Sequence, residues 1–272
     1  MAVSTAPDGT PLWRRRTPRG DLLVWLGWLC GVALAVACFQ FISDRTIWMF
    51  VWDAPQQGAD LVGRMFPPRW EYAHQLWKPL WDTINIATLG TALAVVIGVP
   101  LAFLAAHNTT PSVVLVRPVA LIVIVASRSI NSLIWALVLV IILGPGELAG
   151  ILAIALRSIG FIAKLLYEAI EEIDPTQVEA LTATGASGAQ VLTWGIVPQV
   201  MPAFAGITVF RWDINIREAT VLGLVGAGGI GMQLEASINT LAWPQVTVIF
   251  ALILATVLVS EWVSARVRHH II

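Results

Sequence analysis

Six apolar runs alternate with polar segments along the chain, at residues 22–42, 80–106, 117–143, 149–170, 193–213 and 244–264. Each is about 20 residues or longer, which at 1.5 Å per residue crosses a hydrocarbon core of about 30 Å. Only helices and closed barrels satisfy every backbone polar group in lipid, and runs this long exceed a barrel strand. The pattern predicts an all-α integral membrane protein of six transmembrane helices. Its expected parts are an N-terminal arm (1–21), a first span (22–42), an external, interfacial segment (43–79), a main transmembrane domain (80–265) and a short tail (266–272).

The arm carries Arg14, Arg15, Arg16 and Arg19, and such clusters stay in the cytoplasm, so the N-terminus is expected inside. The run at 22–42 is longer than a signal-peptide core and no small-residue cleavage pattern follows it. Trp48, Trp52, Trp70 and Trp77 with Pro67-Pro68 make the next segment a headgroup-level stretch. It also holds Arg45, Arg64, Arg69 and Lys78, but long external loops obey the charge rule less. Six spans return the C-terminus to the inside, in keeping with Arg266, Arg268 and the His269-His270 tail.

Composition agrees. Hydrophobic residues make up 57% and charged residues 12%, about half the charge of a soluble domain. The net charge of −1 carries no nucleic-acid footprint. Cys30 and Cys38 share one apolar run, where they read as small core residues. The four histidines have no ligand spacing, so no metal is expected.

Against this apolar background, residues 174–198 form a polar island. Asp174, Pro175 and Gln177 have the spacing of an N-cap, an N1 proline and a capping-box partner. Gly185 suits the left-handed residue that closes a helix, and Ser187 with Gln190 repeats the capping box. Two short helices should therefore meet at Gly185-Ala186. The six-span topology puts this corner on the cytoplasmic side, between spans four and five.

Charges inside the spans carry further information, because each costs about 2.5–3.5 kcal/mol at a helix centre and so faces a cavity or a partner. Arg128, Arg157, Lys164, Arg211, Asp213 and Arg217 are of this kind. Lys164 and Arg157 read best as snorkelling or structural, and Asp213 can pair with Arg217 one turn on. Arg128, well inside its run and near Asn131, reads best as lining a path, with Arg211 and Arg217 as further candidates. The surplus of cations suits an anionic cargo.

Gly226-Ala-Gly228-Gly-Ile-Gly231 matches G-x-G-x-x-G, but no strand precedes it and no acidic residue lies between Glu235 and Glu261. Close backbone packing, or irregular backbone lining a cavity, explains the glycines better. A Walker A sequence, H-E-x-x-H and G-x-S-x-G are all absent, so neither ATP hydrolysis nor the commonest hydrolase chemistry is expected of this chain.

Glu179-Ala180, Gly185 and Pro198 stand at the spacing of the EAA signature, and the wider wording EALTATGASGAQVLTWGIVPQVMP resembles ABC-importer permeases of the phosphonate and phosphate-oxyanion branch. The block Arg217 to Gly231 is similar to that branch too. Leu181 replaces the second alanine, Gly195 an isoleucine and Val197 a leucine. The resemblance implies a permease of the bacterial cytoplasmic membrane, working with a second copy of itself, two ATPase subunits and an extracytoplasmic solute-binding protein, surrounded by membrane lipid. ATP and Mg would sit on the ATPase, with no cofactor on this chain. Glu179, Ala180, Gly185, Ala186 and Pro198 would couple to the ATPase, and Gly226 and Gly228 would lie beside the translocation path with Arg128, Asn131, Arg211 and Arg217. The alternatives are a permease for another solute such as an amino acid or betaine, a channel, or an intramembrane enzyme.

Overall fold

The computed structural model describes residues 2–5, 8–9, 11–14 and 18–271. Arg15 and Arg16 of the arginine cluster lie outside them, and of Arg14 and His270 only the backbone is described. The chain divides into two units, residues 1–62 and 63–272.

The first unit opens with an antiparallel hairpin, β1 (Ala2–Thr5) against β2 (Pro11–Arg14), in an arm where the apolar pattern predicts no strand. Helix α1 (Pro18–Ser43) starts four residues before the apolar run, and Cys30 and Cys38 on it are free and exposed, contrary to the core expectation. An apolar helix meant for lipid exposes its small residues as readily as its large ones. Helix α2 (Trp48–Met65) follows, reaching into the second unit, so the interfacial stretch is largely helical.

The second unit is a bundle around α3 (Ala73–Ala105) and α6 (Glu147–Glu171), its most extensively packed pair. Small residues draw these helices together, as expected where lipid supplies no hydrophobic drive between helices. A Cβ on Gly90 would stand 2.7 Å from Ile154 Cγ2, and one on Gly98 3.3 Å from the Ile159 carbonyl oxygen. Helix α3 begins at residue 73 rather than 80. Helix α9 (Val197–Leu222) packs across both, and α11 (Trp243–Ile271) lies against α9 and runs through the expected tail.

The third apolar run is not one straight span. It breaks into α4 (Val116–Ser129) and α5 (Ser132–Leu143), bent by 86°. Ile130 is extended and Asn131 caps α5, its side chain accepting from the Leu133 N–H at 3.1 Å. An N-cap residue in an apolar run is a helix start, and here it outweighs the continuity of hydrophobicity. Among the described residues five helices can cross a membrane, or six if the bent pair counts as one span.

The glycine block folds by close approach. Gly226, Gly228 and Gly229 have positive φ, and the turn they form seats its backbone on the start of α6: the Gly146 N–H donates to the Gly226 carbonyl at 2.9 Å. A Cβ on Gly231 would lie 2.1 Å from the Thr220 carbonyl oxygen. Helix α10 (Ile230–Asn239) begins there, its first N–H held by Thr83 Oγ1 at 2.8 Å.

Candidate functional site

Two polar assemblies stand out in the second unit. The first is the corner between α6 and α9. Helix α7 (Pro175–Ala183) begins at Asp174, whose side chain accepts from the Thr176 N–H at 2.9 Å. That bond, with a further contact from the Thr176 side chain, holds the Asp174 carboxyl below its ordinary value. Gln177 does not complete the expected box. The Asp174 N–H goes instead to Gln199 Oε1 at 3.0 Å, while Gln199 Nε2 donates to the Gly195 carbonyl at 2.7 Å. Gln199 thereby bolts the start of α7 to the start of α9, a tertiary link that capping rules for contiguous residues do not reach.

The corner itself closes as a Schellman motif. Gly185, at φ +81°, donates to the Thr182 carbonyl at 3.0 Å, and Ala186 donates to that of Leu181 at 3.4 Å. No atom lies within 4 Å of where a Gly185 Cβ would be, so only the backbone conformation demands glycine there. Helix α8 (Gly188–Val191) starts with the complete Ser187–Gln190 capping box. Glu179, Ala180 and Pro198 are exposed. A wider helical turn over Leu192–Ile196 leads into Pro198, which has no N–H to offer a regular helix.

The corner is anchored behind as well. Glu171 Oε1 accepts from the His107 N–H at 2.7 Å and from Arg117 at 3.1 Å, while Arg117 Nε donates to the Ala105 carbonyl at 3.1 Å. Two of the motif departures also meet: a Cβ on Gly195 would stand 3.0 Å from Leu181 Cδ1. The larger residue at 181 occupies room left by the smaller one at 195.

The second assembly is a charged cluster inside the bundle. Arg211 is 2% exposed, donates from Nε to Ser158 Oγ at 2.9 Å, and lies 5.0 Å from the Phe161 ring centroid. Its Nη2 reaches both Glu218 oxygens, at 3.4 and 3.5 Å. Arg157 Nη1 binds Glu218 Oε1 at 2.7 Å and contacts Ser132 Oγ at 3.4 Å. Asp213 accepts from Arg217 one turn on, as the spacing predicts, and from Ser260 Oγ at 2.7 Å. Asn215 extends the network, accepting from Ser158 at 3.2 Å and donating to Thr91 at 2.7 Å. Four helices thus share the bonds around Arg211 and Glu218, and a second set through Asp213 ties α9 to α11, in an apolar bundle where each unmade bond would be costly.

A cavity of about 290 Å³ opens beside the cluster, lined in part by Asn131, Ser132, Arg157, Arg217 and Glu218. The path candidates therefore separate. Asn131 and Arg217 face the cavity. Arg211 is buried behind it, an ion-paired core residue. Arg128 lies in the last turn of α4, exposed, with its stem over Gly160, and does not line the cavity because the break at Ile130 turns the chain away. Gly226 and Gly228 form the turn against α6 and do not line it either. Lys164 pairs with Glu168 one turn on. Arg157, structural by its sequence context, is on the cavity wall, and so is Glu218, which no motif in the sequence marks. Its signal was present, since it follows Arg211 by seven residues, two turns along one helix face.

Among the described residues the bundle thus carries an exposed, locally capped corner and a charged cluster with an open cavity beside it. Residues 98–269 match the binding-protein-dependent transport system inner membrane component family, and the chain belongs to it: it is a transmembrane permease subunit of an ABC importer. It is 41% identical over 212 residues to the phosphite transport system permease protein PtxC of Stutzerimonas stutzeri, covering 78% of this chain and 77% of that one. It is 36% identical over 259 residues to the phosphate-import permease protein PhnE of Mycolicibacterium smegmatis, covering 93% of this chain but 48% of that longer relative. The fold is similar to that of the MetNI methionine ABC transporter in an inward-facing conformation, with a TM-score of 0.63 at 20% identity over 72% of this chain and 96% of that chain.

Proposed function

We propose that this permease carries a phosphorus oxyanion: phosphite, phosphate or a phosphonate. The observation that carries the reading is the 41% identity to a phosphite permease over most of both chains. The cavity supports it, because guanidinium forks replace the water an oxyanion loses better than any other side chain. Its volume of about 290 Å³ also lies at the low end for a ligand pocket, as suits a small anion.

In this reading two copies of the chain assemble with two ATPase subunits, which bind ATP and Mg, and with an extracytoplasmic binding protein. Both termini and the 174–198 corner are cytoplasmic. Glu179, Ala180, Gly185 and Ala186 dock against the ATPase, and Pro198 marks where α9 takes up the motion. Closure of the ATPase pair moves α7 and α8, and Gln199 and Glu171 pass that motion to α9 and to the α3–α4 loop as rigid-body gating. Asn131, Arg157 and Arg217 line the path, and affinity resides chiefly in the binding protein.

The test is uptake by the reconstituted complex. Labelled phosphite, phosphate and methylphosphonate are offered against methionine and betaine, with the ATPase and binding protein present. ATP-dependent uptake of at least one phosphorus oxyanion is expected. Uptake of methionine or betaine alone would overturn the cargo assignment.

A further inference from the structure

Arg157 and Arg211 share the one carboxylate of Glu218, while Asp213 holds Arg217, so among these five charges one positive charge is in excess. The two arginines on the cavity wall also spend little of their bonding capacity. Arg157 engages both its partners through Nη1 alone, and Arg217 holds Asp213 through Nη2 alone. Their side chains are 32% and 46% exposed, whereas Glu218 is 16% exposed. Each guanidinium has five N–H donors, so most remain directed elsewhere.

Glu218 is placed between a tight partner and a loose one. Its Oε1 is 2.7 Å from Arg157, but both its oxygens are 3.4–3.5 Å from Arg211. Arg211 is fixed in place by Ser158 and the Phe161 ring and cannot follow a ligand into the cavity. A small rotation of Glu218 away from Arg157 would shorten the two long contacts, so the carboxylate would keep a cationic partner throughout. Such a shift costs far less than stranding a buried charge.

We propose that the cavity is a transient station for a tetrahedral oxyanion, and that Glu218 is its built-in competitor. An arriving anion takes the free donors of Arg157 and Arg217 with Asn131 and Ser132 beside it, and Glu218 swings onto Arg211. When the anion leaves, Glu218 returns to Arg157. The carboxylate keeps the station weak by occupying the same guanidinium and repelling the cargo, and a path site must release what it binds. This rests on the oxyanion reading above, but its test does not require transport.

The experiment measures binding of labelled inorganic phosphate to the assembled permease–ATPase complex in lipid nanodiscs, by equilibrium dialysis without ATP or binding protein. Glu218→Gln, which keeps the shape and removes the competing charge, is expected to bind phosphate at least about tenfold tighter than the unaltered complex. Adding Arg157→Gln to that variant should return binding to the starting level. Unchanged binding in Glu218→Gln overturns the proposal, and so does tight binding that survives loss of Arg157. If Glu218→Gln does not accumulate, Glu218→Asp reads the same point, since its shorter carboxylate reaches Arg157 less well: tighter binding is expected, and unchanged binding overturns. A gain in phosphate binding by a complex that imports no phosphorus oxyanion would support the station while overturning the cargo assignment.

Discussion

The corner at 174–198 and the cluster around Arg211 are both polar, yet they are built by opposite means. In the corner the shape is set by local bonds, Asp174 to Thr176, Gly185 to Thr182 and Ser187 to Gln190, and long-range bonds through Gln199 and Glu171 only moor it to the bundle. In the cluster the ion pairs and hydrogen bonds join residues 25 to 124 positions apart as well as neighbours on α9. A locally built element keeps its shape while it moves as a body, which suits a part that transmits force. A shared interior network cannot lose a member without exposing several others, which suits a part that holds helices together around a charge.

The comparison breaks most severely at Arg211. Arg211→Leu takes the Nε donor from Ser158 and the weaker of two cationic partners from Glu218, which keeps Arg157, a loss of about 1.5–3 kcal/mol. Membrane abundance and thermal unfolding of the purified protein should both fall sharply. Normal abundance with normal melting would show that the cluster is dispensable to the fold.

The Leu181–Gly195 contact sharpens the contrast from the other side. Gly195→Ile should cost about 1–3 kcal/mol by overpacking, because its Cβ alone already meets Leu181 Cδ1 at 3.0 Å. Leu181→Ala in the same chain should recover most of that. A double-mutant cycle on thermal unfolding reads the coupling, and strict additivity would mean that the two departures from the family spacing are unrelated.

How far each region could be read from sequence follows from the same difference. Gly185 and the Ser187–Gln190 box announce themselves within a few residues, and the structure has both. Asp174 was recognisable as a cap, but not its bolt to Gln199, which lies 25 residues on. The break at Ile130-Asn131 was hidden by treating 117–143 as one apolar run, although asparagine before a helical stretch is a start signal. Arg128 reads as central while the run reads as straight, and in the structure it sits in the last turn of α4, off the wall of this cavity. Arg211 and Arg217 were visible as charges in lipid, but whether each faces a cavity or a buried carboxylate depends on α6, which no local pattern supplies. Glu218 could have been found by asking which acid shares a helix face with Arg211.

Two smaller effects belong to the corner. Gly185→Val forces a β-branched residue into the left-handed region at a cost of about 1–2 kcal/mol, with no packing clash to add to it. The protein should insert normally and lose transport, while Gly185→Asn, which tolerates that conformation, should retain most of it. Uptake measured beside membrane abundance separates the two.

The smallest effect is at Asp174. Its carboxyl is held below the ordinary 3.8 by the Thr176 bonds, so its stabilising contribution is complete above that ordinary value and is lost as pH falls through the depressed one. Amide exchange across residues 175–183 should quicken over that acid range. Asp174→Asn, which caps equally well without titrating, should remove the pH response and leave the neutral-pH rate almost unchanged.

The division of labour itself is tested by binding-protein-stimulated ATP hydrolysis in the reconstituted complex, measured for Gly185→Val beside the unaltered chain. A complex that assembles but no longer raises hydrolysis when the loaded binding protein is added is the result expected if the corner transmits force. Full stimulation in Gly185→Val would contradict it.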